Sequence, residues 1–168
     1  MGTTGITAQR FGADDREGLK VALGQALIVS FAIALIIIVF QMPIADLSMG
    51  LLGADSLVVG HAYEYFYIRI WSAPATLANF VLIGWFLGLQ NARVPLYIVL
   101  VINLTNIVLD LFFVLVLNMD VDGVAAASVI AEIAGLVVGL FFAFKLLKTD
   151  SGPFPVSKLT SLGEYKAF

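Results

Sequence analysis

The chain has 168 residues, of which 61% are hydrophobic and 12% charged, with a formal net charge of -3 and no cysteine. An average soluble domain carries roughly 25% charged residues, so this composition excludes an ordinary water-soluble fold, and the mean hydropathy of +1.01 is that of an integral membrane protein. The absence of a basic block removes a nucleic-acid footprint and a polybasic lipid anchor, and the absence of cysteine removes a disulfide framework, a thiolate metal site and a redox motif.

The stretch 1–16 is polar and lacks the charged-then-apolar order of a signal peptide. Its end, Gln9-Arg10-Phe11-Gly12-Ala13-Asp14-Asp15-Arg16, predicts the tail of one helix followed by a charged turn. A first membrane span is expected over 17–40, where only Gln25 and Ser30 interrupt the apolar run from Val21 onward, because about 20 apolar residues cross a hydrocarbon core of about 30 Å. Pro43 marks its stop. Ile44, Leu47, Leu51 and Leu52, beside Asp46 and Ser48, then predict a short helix lying at the membrane interface. The second span, 58–89, is longer than a crossing needs and is expected to tilt, to extend into water or to kink at Pro74. Gln90-Asn91-Ala92-Arg93 makes a tight connection to a third span over 94–117. Asn118-Met119-Asp120 leads to a fourth over 121–147, in which Gly135 and Gly139 form a small-xxx-small pair for close helix approach. The remainder, 149–168, contains Gly152-Pro153-Phe154-Pro155 and reads as a linker. The fold class is all-α, a polytopic membrane helical bundle with four transmembrane helices.

Loop charges orient the bundle. Arg10, Arg16 and Lys20 precede the first span, Arg93 lies between the second and third, and Lys145, Lys148 and Lys158 follow the fourth. The other two connections hold aspartates and neither lysine nor arginine. By the positive-inside rule both ends of the chain are cytoplasmic.

Polar side chains inside these spans point to function. At about 100° per residue Asn103, Asn106 and Asp110 fall within about 60° of one another on the third span. An ionisable group in hydrocarbon costs about 2.5 kcal/mol or more, and such groups face a bundle interior or a watery cavity. On the second span Tyr65, Arg69, Ser72, Thr76 and Asn79 share a sector of about 80°, with His61 continuing it; Arg69, Ser72, Thr76, Asn79 and Asn103 are therefore expected to line a pathway. Ser128, Glu132, Gly135 and Gly139 share one face of the fourth span. Counting about 1.5 Å per residue puts Arg69, Asp110 and Glu132 at a common depth of about 12 to 17 Å, where convergence would enclose a polar chamber holding a cation between two acids. Glu64, five residues from Arg69, faces away from it.

These residues resemble the multidrug and toxic compound extrusion (MATE) family, most of all its DNA-damage-inducible F-like branch. The resemblance rests on Gly2-Thr3-Thr4-Gly5 through Arg10-Phe11-Gly12-Ala13-Asp14, on Leu51-Leu52-Gly53-Ala54, on Tyr67-Ile68-Arg69 with Pro74, and on Asn106-Ile107-Val108-Leu109-Asp110. It implies twelve helices in two pseudo-symmetric lobes, of which 1–148 would be the end of helix two and helices three to six of the N-terminal, six-helix lobe, with 149–168 as the cytoplasmic linker between lobes. It implies secondary active antiport of cationic or amphipathic small molecules against protons or sodium ions across the inner (plasma) membrane. Asn106 and Asp110 match the family's cation-coupling amide and acid. Ser128 stands where a threonine is frequent and Glu132 where a glutamine is common, which adds a negative charge to the coupling set. The implied partners are the lipid bilayer, the missing helices and second lobe, and the substrate; no cofactor or metal is implied beyond the coupling ion.

Other classes fit worse. Asp110 lacks the Gly-x-Gly-Asp context of an aspartyl intramembrane protease, His61 has no neighbouring serine nucleophile, and there is no His-Glu-x-x-His helix, so an enzyme is not expected. A bundle-holding hydrogen bond of about 0.6 kcal/mol is the structural role available to Asn106 and Asp110. The alternative to a transporter fragment is a complete small four-helix membrane protein, a dimeric exporter or a non-transporting scaffold.

Overall fold

The computed structural model describes residues 2–52 and 56–149, so the expected linker lies outside the described residues except for Thr149. Helix α1, Gly2–Gly12, ends where Asp14 takes a positive φ of 53°, and α2, Arg16–Val39, begins at once. The turn is held chemically: Asp15 accepts the Gly18 N–H at 2.9 Å as N-cap and pairs with Arg10 at 3.3 Å. A Cβ on Gly18 would collide with both side chains.

The first turns of α2 are buried nearly all round, through Leu19, Lys20, Val21, Ala22 and Leu23, whereas beyond Ala26 only Ser30 and Ala34 are buried and Ile28, Phe31, Leu35 and Ile36 are exposed, as expected of a segment with protein on one side and lipid on the other. After a break at Phe40 the chain re-enters α3, Gln41–Leu52. Pro43 is thus not the stop expected of it. It sits in the first turn of α3, where a proline's missing N–H has no intrahelical partner to lose.

Helix α4, Ser56–Arg69, passes through a 3-10 turn, Ile70–Ser72, into α5, Ala73–Gly88, with Pro74 at the start of α5. The kink expected at Pro74 is this tightened turn. The α5–α6 connection places Gln90 at φ 58°, and the Asn91 side-chain oxygen accepts the N–H groups of Arg93 (3.1 Å) and Val94 (3.4 Å) to start α6, Arg93–Leu111. Beyond it Phe112–Val116 forms a π-turn, closed by the Leu117 N–H on the Phe112 carbonyl at 3.2 Å. Helix α7, Val121–Thr149, is the last element among the described residues. Among the described residues four segments are long and apolar enough to cross a membrane, Arg16–Val39, Val58–Gly88, Arg93–Val116 and Val121–Lys148, each end within a residue of expectation.

Helix α7 is the hub. It packs on α4, α5 and α6, while α2 packs on α5 with α1 wedged against both. One end is closed by a core of Leu23, Leu82, Trp85, Phe86, Val94, Ile98 and Ala143. Trp85 is 1% exposed, meets Phe86 edge-on at 5.0 Å and donates its indole N–H to the Leu19 carbonyl at 3.0 Å, which ties α5 to α2. Gly139 permits the close approach at α7: a Cβ there would lie 2.8 Å from Leu82 Cδ1 and 3.0 Å from Ile98 Cδ1. Gly139→Leu is therefore expected to destabilise the bundle by about 1–3 kcal/mol through overpacking, measured by unfolding in mixed detergent micelles. An unchanged transition would show that α7 has room at this position.

Candidate functional site

The polar stripe of the second span is wired together along its length. Across the 3-10 turn the Ser72 hydroxyl donates to the Arg69 carbonyl at 2.8 Å, Arg69 Nη1 reaches that hydroxyl, and Thr76 Oγ1 lies 3.5 Å from it. Arg69 Nη2 pairs with Glu132 Oε1 of α7 at 3.4 Å. Asn79, 2% exposed, donates through Nδ2 to Glu132 Oε2 and to the Glu132 main-chain carbonyl, both at 2.9 Å. One α7 carboxylate thus gathers Arg69 from one side of the 3-10 turn and Asn79 from the other. That is a physically sound way to hold a charge in a low-dielectric interior, since both oxygens have donors.

Asn103 joins this group through space. With Thr76, Asn79 and Glu132 it lines a cavity of about 140 Å³, whose apolar wall includes Phe80, Ile83 and Ile102. Asn79 Oδ1 is buried there without a hydrogen-bond partner.

A second cluster forms between α6 and α7, where Asn106 Nδ2 donates to Ser128 Oγ at 3.2 Å. Asp110, one helical turn beyond Asn106, has a buried Oδ1 without a partner among the described residues. The expected convergence of Arg69, Asp110 and Glu132 around one cation therefore does not form. The reason is the hub arrangement: α4 and α6 each pack on α7 and not closely on each other. Glu132 bonds to the stripe of α4 and α5, while Ser128, one turn earlier, bonds to α6. Depth counting places Asn106 deeper than Glu132 and Ser128 above it, whereas Asn106 bonds Ser128.

Sequence reasoning assigned Arg69 no definite partner and missed that Asn79 caps the Glu132 carboxylate; a common level was a signal for Arg69 and Glu132, whereas counting puts Asn79 about 15 Å deeper than Arg69 on its span. It missed the π-turn and the apolar wall of the cavity, for which the sequence carries no signal. His61 pairs with Glu64 at 3.3 Å on the exposed part of α4, away from Arg69. Among the described residues no group of three or more His, Cys, Asp or Glu side chains could hold a metal ion.

Comparison with known proteins places this arrangement. The family model described as MatE matches residues 1–112. DNA damage-inducible protein F of Escherichia coli (strain K12) is 44% identical over 148 residues, covering 88% of this chain and 32% of that protein. Protein DETOXIFICATION 43 of Arabidopsis thaliana is 32% identical over 124 residues, covering 72% of this chain and 24% of that protein. Among solved structures, the inward-facing conformation of a multidrug resistance MATE family transporter of the MOP superfamily matches with a TM-score of 0.83 and 25% identity, over 99% of this chain and 38% of that one. A MATE crystal structure in complex with MaD3S matches with a TM-score of 0.81 and 27% identity, over 97% of this chain and 36% of that one. The chain spans about a third of the length of the bacterial relative and of these transporters. With its four apolar spans and this match, it is a multi-pass membrane protein, and it belongs to the MatE family.

Proposed function

We propose that this chain is the end of helix two and helices three to six of the N-terminal lobe of a cation-coupled antiporter, which exports cationic or amphipathic compounds in exchange for protons or sodium ions. The observation that carries the reading is Asp110, an acid in an apolar spanning helix with a buried, unpartnered oxygen, one turn from the Asn106–Ser128 hydrogen bond. An acid whose interactions are left open can take up and release a proton, or lend its oxygen to a sodium ion, as the conformation changes. Asn106, Asp110 and Ser128 form the coupling set; Arg69, Ser72, Thr76, Asn79 and Asn103 line the substrate side. Glu132 belongs with the substrate side, because its two oxygens are already engaged by Arg69 and Asn79. Two further helices and a second lobe would complete the transporter in the inner membrane. The basic residues flanking the spans support a cytoplasmic side for both ends of this chain.

The test is gradient-driven export by the whole polypeptide that carries this chain, reconstituted in lipid vesicles with a fluorescent organic cation. A proton gradient and a sodium gradient are imposed separately. One of the two is expected to drive movement of the dye, and failure of both would overturn the proposal.

A further inference from the structure

Arg16 opens the first span, Asn91 lies between the second and the third, and Leu146 and Leu147 stand in the last turn of the fourth. These span ends converge on one cavity of about 150 Å³, which Leu19 and Trp85 also line. The cavity therefore sits at the depth where hydrocarbon gives way to headgroups. Its lining changes character accordingly, from Leu19 and Trp85, which are buried and apolar, to Arg16, with 60% of its side chain exposed. A site that is apolar at its buried end and charged at its exposed end suits an amphipathic molecule.

Both polar residues of the lining have N–H groups to offer. Asn91 Oδ1 accepts from the N–H groups of Arg93 and Val94, which fixes the amide and makes Nδ2 its donor end. Arg16 spends Nε on Asp14 at 3.0 Å, and a guanidinium grips a phosphate in two-pronged fashion through a pair of its remaining N–H groups. The Arg16–Asp14 pair is exposed on both sides, so it is a weak competitor. Charge at this end favours an anion. Arg10, Arg16, Lys20, Arg93, Lys145 and Lys148 outnumber Asp14, Asp15 and Glu17, whereas Asp46, Asp120 and Asp122 stand at the other end of the spans. Basic pockets between spanning helices bind anionic headgroups. Here the basic residues come from separate places in the chain and are gathered by the fold, not by a run of sequence.

We propose that this cavity holds one anionic phospholipid. The phosphate diester accepts from the Arg16 fork and from Asn91 Nδ2, and one acyl chain starts against Leu19, Trp85 and Leu147 and continues past the exposed Leu146. A volume of about 150 Å³ is room for about five water-sized groups, which seats the start of a chain and leaves the rest in the bilayer. Among the described residues α2 and α7 do not pack closely on each other, so the lipid bridges the start of α2, the α5–α6 turn and the end of α7. The inference depends on the four spans and is independent of what the protein exports.

The test is native mass spectrometry of the whole polypeptide in detergent, titrated with dioleoyl phosphatidylglycerol or with dioleoyl phosphatidylcholine, its zwitterionic counterpart with the same chains. Arg16→Gln is expected to weaken one tight phosphatidylglycerol step by about tenfold, the scale of one charge-assisted hydrogen bond lost, and to leave phosphatidylcholine unchanged. Lys148→Gln, at the same end but outside the lining, keeps that step, and Leu146→Trp, which fills the cavity, weakens it. Millimolar inorganic phosphate does not displace the lipid. Unchanged phosphatidylglycerol binding in Arg16→Gln overturns the proposal. An equal loss in Arg16→Gln and Lys148→Gln also overturns it, because that is the diffuse attraction of a basic end, and so does displacement by inorganic phosphate, which marks a site for a soluble anion. Should Arg16→Gln not fold, wild-type binding in Leu146→Trp is the result that overturns it.

Discussion

Asp110→Asn is expected to abolish ion-coupled export by the whole polypeptide, with a loss on the scale of the roughly hundredfold or more that a positioned acid–base group supplies to a reaction. The substitution keeps the shape of the side chain and removes a charge from an apolar helix, so insertion and monodispersity in detergent should be unaffected or improved. Because Asp110 Oδ1 has no partner to lose among the described residues, the change breaks no recorded hydrogen bond, and a transport defect cannot be ascribed to a collapsed bundle. Asn106→Leu makes the contrast. It breaks the 3.2 Å bond to Ser128 and should cost stability of about 0.6 kcal/mol, the average for such bonds in membranes. Normal dye export by Asp110→Asn would end the assignment of this acid to coupling and would return it to the bundle-holding role.

The largest effect on stability is expected at the other end of the bundle. Trp85→Ala removes a side chain that is 1% exposed, together with its edge-on contact to Phe86 and its bond to the Leu19 carbonyl. A cavity of that size in a packed core costs about 3–5 kcal/mol, and here it would also untie α5 from α2. Trp85→Phe separates the parts: it keeps an aromatic ring and loses the N–H bond, for about 1 kcal/mol. Denaturant titration in mixed micelles reads both. If the alanine variant unfolded at the wild-type midpoint, the Leu23–Trp85–Phe86 core would not be what holds this end together.

What could be read from the chain divides along physical lines. Span limits were legible because the hydrocarbon core imposes a length and a composition, and the turns because Asp15, Asn91 and Pro74 carry their own local chemistry. Pro43 misled for a related reason, since a proline that ends one helix is equally at home in the first turn of the next. In the candidate site, periodicity and depth placed Arg69 and Glu132 at one level, and they pair. Those quantities describe each helix alone. They do not say which helix lies beside which, so Asp110 was grouped with Arg69 and Glu132, to neither of which it bonds among the described residues. The π-turn was illegible: Phe112-Phe113-Val114-Leu115-Val116 reads as ordinary spanning sequence, and only tertiary packing selects its hydrogen-bond pattern.

That π-turn gives the third span slack. A helix wound with a regular pitch transmits any twist from one end to the other. One that stores extra chain in a single wide turn lets its tip follow Gly123 and the α7 junction, where Phe113 and Met119 pack, while the segment bearing Asn103, Asn106 and Asp110 keeps its own phase. Movement at this tip would therefore be absorbed two residues beyond the acid, without rotating the acid itself.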